Sequence, residues 1–92
     1  MPFADYGYEY ALEDEIIIDD EAAQLYQKGL EAAAGIDCDV DMVAAHCWFN
    51  LAASKGHDGA IEQRHEVAEL MSSDEVRRAL MAARAWLKAQ AN

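Results

Sequence analysis

Residues 41–60 read D-M-V-A-A-H-C-W-F-N-L-A-A-S-K-G-H-D-G-A, one helix with its own punctuation. Asp39 or Asp41 can accept hydrogen bonds from the free amides of a helix start. Ala44, Ala45, Trp48, Leu51 and Ala52 recur at spacings of three and four, which makes one apolar helix face, with Phe49 flanking it. Lys55 suits the negative end of the helix dipole, and Gly56 supplies the stop. The small pair Ala52 and Ala53 beside Trp48 lets neighbours approach closely, so the expectation is a stack of helical hairpins with Trp48 in the core.

On the amino-terminal side, Asp19 or Asp20 can cap a helix and Glu21 favours its positive end. Ala22, Leu25, Tyr26, Gly29, Leu30 and Ala33 share one face of a helix running to about Ala34. Gly29 inside it costs about 1 kcal/mol relative to Ala, which predicts that another backbone passes close by. Gly35 ends this helix, and the Asp-rich link that follows is short enough to make an antiparallel hairpin with the helix after it.

On the carboxy-terminal side, His57 and Asp58 restart the chain. Ala60, Ile61, Val67, Ala68 and Met71 mark a third amphipathic helix, on whose polar face Glu62 and Glu66 repel rather than attract. Ser72-Ser73-Asp74-Glu75 has the spacing of a capping box, in which the hydroxyl of Ser72 and the carboxylate of Glu75 satisfy each other's backbone amides. Val76, Ala79, Leu80, Ala83 and Leu87 then form the predicted buried stripe of a fourth helix, with Trp86 beside it and Arg77, Arg78, Arg84 and Lys88 outside. The fold class predicted is all-α, about four helices in two antiparallel hairpins. Leu25, Gly29, Leu30, Ala45, Trp48, Leu51, Ala52, Leu80 and Leu87 are its predicted structural core.

Residues 1–18 read as an extended acidic lead in front of a helical domain spanning 19–92. Tyr6, Tyr8, Tyr10 and Leu12 alternate with smaller or charged residues, and Glu13-Asp14-Glu15 is followed by three isoleucines. Such a segment either rests its rings on the helices or docks on another protein. The 92 residues suffice for one modest core. Acidic residues outnumber basic ones 18 to 7, for a net charge of −11. Among residues 1–41, twelve acids face Lys28 alone. That imbalance disfavours direct binding to nucleic acid or anionic lipid and makes a basic partner surface the natural complement. No apolar run approaches the length of a membrane span, and no export signal opens the chain. A cytoplasmic protein with Cys38 and Cys47 as reduced packing thiols is the expectation.

Gly29-Leu30, Gly35, Asp41, Ala45, Trp48-Phe49, Leu51-Ala52-Ala53, Gly56 and Ala60 resemble, without a gap, the Sel-one-like repeat, a relative of the tetratricopeptide repeat. The match covers about residues 22–60. The W-F-N-L-A-A core with the later M-S-x-x-E and A-R-A-W-L also resembles short bacterial proteins carrying one such repeat and a closing helix pair, here about 58–90. Ala32 stands where the family commonly has Tyr, and Asp37-Cys38 where it has a second loop glycine and Val. Repeats of this kind bury their faces against neighbours. Either the closing pair serves as the neighbour or a second copy of the chain does, and both stay open at the level of sequence.

His46, His57, His65, Cys38 and Cys47 lack the paired spacings of a structural metal site. Neither the cysteines nor the carboxylates show a spacing that sets a base against a nucleophile, and Gly-rich phosphate loops are absent. No catalytic, cofactor or metal role is therefore expected. The reading is a protein–protein interaction module that binds a partner through its helical groove or through residues 1–18. Tyr6, Tyr8, Tyr10, Tyr26 and Asn50 are its candidate contacts. The competing reading is an acidic inhibitor or nucleic-acid mimic that occupies the basic surface of a DNA- or RNA-binding protein.

Overall fold

The computed structural model describes residues 20–91, all helix and connection: α1 (Glu21–Ala34), α2 (Met42–Ser54), α3 (Asp58–Ala68) and α4 (Ser73–Ala91). The lead 1–18, with Tyr6, Tyr8 and Tyr10, lies outside the described residues.

Each boundary has a local chemical cause. Asp20 accepts from the Ala22 amide at 3.0 Å to start α1. Gly35, left-handed at φ 74°, ends it by donating to the Glu31 carbonyl at 2.9 Å. Asp37 follows at φ 60°, a conformation that Asp tolerates better than most side chains. Asp41 accepts from the Ala44 amide at 3.0 Å and donates its own amide to Ala32 at 2.9 Å, so the cap of α2 is tied to the end of α1. The imidazole Nδ1 of His57 accepts from the Ala60 amide at 3.2 Å and opens α3. At α4 both halves of the capping box form: Ser72 N–H donates to Glu75 at 2.8 Å, and Glu75 N–H donates to Ser72 Oγ at 3.1 Å.

Helix α2 is the hub. α1, α3 and α4 each pack against it. Phe49 is fully buried, as are Ala45, Leu51 and Ala52 within the same helix. Across from Phe49 sits Gly29, where an added Cβ would lie only 2.5 Å from the ring. The close approach read from Gly29 is thus made by an aromatic ring rather than by a backbone. Leu25 and Gly29 are buried and Leu30 is half-buried.

Two expectations about the core are corrected. Trp48 is half-buried, and the enclosed ring is Phe49. The two residues project about 100° apart, and the side of α2 that receives α1 is the one bearing Phe49. Trp48 instead meets Trp86 edge-on at 6.4 Å, with the Lys28 ammonium 5.6 Å from its ring. Leu80 and Leu87 are exposed at 42% and 39%, while Ala79 and Ala83 are buried. Helix α4 approaches α2 through these small residues, so the predicted stripe narrows to its alanines and the two leucines stand at its exposed margin. Ile61 is likewise exposed, and the third helix ends at Ala68, short of Met71.

Phe49→Ala should cost about 3–5 kcal/mol in urea unfolding, or abolish the cooperative transition. Gly29→Ala should cost about 1–3 kcal/mol by forcing the ring aside. Trp48→Ala should cost clearly less than Phe49→Ala, and equal losses would return Trp48 to the centre of the core.

Candidate functional site

Helices α3 and α4 are consecutive, joined by Glu69–Ser72, yet each lies against α2 and they scarcely touch one another. The separation leaves an open groove of about 500 Å³. Arg64, His65, Ala68 and Glu69 line it from the α3 side, Val76 and Leu80 from α4, and His46 of α2 at its base. Leu80, misplaced as a core residue by its spacing, is therefore part of the groove wall.

The polar end of the groove is built on α2. His46 and Asn50 stand one helical turn apart, on one face. Arg64 donates from Nη1 to Asn50 Oδ1 at 2.6 Å and is held half-buried by it. The ion pairs among the described residues are Lys55 with Glu21 at 3.5 Å and Arg77 with Asp74 at 2.8 Å, so Arg64 has no carboxylate partner there. His46 is 4% exposed, and its Nδ1 has no hydrogen-bond partner among the described residues. Burial holds its pKa below the ordinary 6.5, and the neighbouring Arg64 charge lowers it further. The ring is accordingly neutral at neutral pH.

The two described candidate contacts separate. Asn50 positions Arg64 at the groove. Tyr26 stacks on His57 at 4.0 Å and 13°, 5.5 Å from Phe49, and does not line the groove. Sequence reasoning passed over His46 and Arg64. His46 reads as packing on a small apolar helix, and Arg64 lies fourteen residues from Asn50, beyond any within-helix spacing.

Cys38 is exposed in the α1–α2 link and Cys47 is buried, where desolvation pushes its thiol pKa up. No group of three or more His, Cys, Asp or Glu side chains able to hold a metal occurs among the described residues. No helix among them is long and apolar enough to cross a membrane. No protein-family model, curated protein or solved structure matches this chain.

The sign of the His46 effect follows from its lowered pKa. Below about pH 6.5 the unfolded ring binds a proton that the folded ring resists, so stability falls as pH falls through that range towards the folded value. Its share of the slope is at most about 1.4 kcal/mol per pH unit. Urea unfolding between pH 7 and 5 should show this loss, and His46→Gln should flatten it; an unchanged slope in the variant removes His46 as its source. Thiol titration of the native chain should give one fast thiol, Cys38, and a second, Cys47, that reacts at a comparable rate only after unfolding.

Proposed function

We propose that this chain is a small helical binding module that holds a segment of a partner protein in the groove between α3 and α4. The observation that carries the reading is the separation of those two helices, which leaves the apolar Ala68, Val76 and Leu80 open beside the polar pair Arg64 and His46. A space of about 500 Å³ is of the size that takes a compact ligand or a few residues of peptide. The resemblance of residues 22–60 to a Sel-one-like repeat supports the same reading, as does the hairpin of α1 and α2. Cys47 and His46, adjacent in sequence, are poor candidates for nucleophile and base, since burial disfavours the thiolate.

The charge of −11 supports a second reading, an acidic protein that occupies a basic surface in place of nucleic acid. The two differ in what they ask of Leu80 and of salt. A partner captured from cells should bind Leu80→Asp at least about tenfold more weakly than the parent, with unchanged helical circular dichroism and shallow salt dependence. Leu80 is exposed, so the fold should tolerate this change. A partner indifferent to Leu80→Asp, released steeply by salt and displaced by DNA would replace the groove reading with the mimic.

A further inference from the structure

We infer that the groove selects a partner segment in which one acidic side chain stands beside an apolar one, its carboxylate taken by Arg64 and its apolar group by Val76 and Leu80. The inference rests on the groove being the docking site. Its first support is charge complementarity. A guanidinium carries five N–H donors, and Arg64 spends one of them on Asn50 at 2.6 Å. It is half-buried and has no carboxylate partner among the described residues. A half-buried guanidinium with no carboxylate in contact has donors to spare, and an incoming carboxylate gains charge-assisted hydrogen bonds from them.

The second support is His46, 4% exposed at the base of the same groove with Nδ1 unpartnered. Burial and then the Arg64 charge hold this ring neutral. A carboxylate on Arg64 cancels the second of these causes and adds an attraction for the imidazolium, so binding and His46 protonation favour each other. The other charged or titratable residues lining the groove are His65 and Glu69. Glu69 repels additional acids, which restricts the segment to a single acidic residue rather than an acidic run. The apolar half of the recognition falls to Val76 and Leu80, the α4 residues that line the groove.

Two blocked peptides test this against the full chain: acetyl-Leu-Glu-Leu-amide and its neutral isostere acetyl-Leu-Gln-Leu-amide. NMR titration should show the Glu peptide shifting the Val76 and Leu80 methyl signals, raising the His46 titration midpoint, and binding about tenfold or more tightly than the Gln peptide. Arg64→Gln should bring the two peptides to equal affinity. Arg64→Lys, which keeps the charge but not the planar fork, should retain part of the preference. Equal affinities for the parent protein would overturn the carboxylate assignment and leave the groove reading standing. The same holds if neither peptide shifts the groove signals while a captured partner still depends on Leu80. Preference for acetyl-Leu-Leu with a free terminus would assign the carboxylate to a chain end and overturn the internal-segment form. Silence from both peptides together with a partner indifferent to Leu80→Asp would remove the groove reading as well.

Discussion

A helix that is apolar on nearly every side cannot be satisfied by one neighbour, and α2 is such a helix. Ala45, His46 and Cys47 are buried in succession, then Phe49, then Leu51 and Ala52. Consecutive helical residues project about 100° apart, so these side chains face several directions, and each must be covered. The other three helices supply the cover, each arriving on a different part of α2. Small residues ease the approach: Gly29 of α1 opposite Phe49, and Ala79 and Ala83 of α4.

The groove follows from that arrangement. In an ordinary closing pair α3 and α4 would bury their apolar stripes against one another. Here both serve α2, and the short connection with the capping box at Ser72 and Glu75 turns the chain without drawing the two helices together. Leucines that a closed hairpin would enclose are left open, Leu80 at 42% and Leu70 at 71% exposed. The polar base of the groove comes from His46 of α2, with Arg64 held beside it by Asn50. A histidine there is both desolvated and placed beside a cation, two effects that act in the same direction on its charge.

Apart from the end of α3, which falls at Ala68 short of Met71, the helix boundaries were legible in the sequence because their causes are local. Asp20, Gly35, Asp41, Gly56 and the pair Ser72 and Glu75 act within a turn of themselves. The positive φ at Asp37 stands where the resembled repeat has a glycine, a departure that by itself did not fix the conformation of the link. Which side of each helix faces inward was less legible. Spacing by hydrophobic size favoured Trp48 over Phe49 and buried Leu80 and Leu87 together with Ala79 and Ala83, whereas the close approach of α4 to α2 encloses only the two small residues. The groove was hidden for a different reason. Asn50 was visible as a polar residue on an apolar helix, but its partner Arg64 belongs to the next helix, and the pairing exists only once α3 has docked.

The notch at Gly29 has a further consequence, for registration along the hairpin axis. A slip of α1 past α2 by one helical turn moves it about 5.4 Å and brings Leu25 or Ala33 to the place of Gly29. Either would set a Cβ where the Phe49 ring now lies 2.5 Å from the added atom's position. Hydrophobicity alone is indifferent to such slips, since an apolar stripe slides onto an apolar stripe. The glycine and the ring act as a detent that marks one axial setting, and the tie from Asp41 to Ala32 and the His57 stack on Tyr26 are built to that setting.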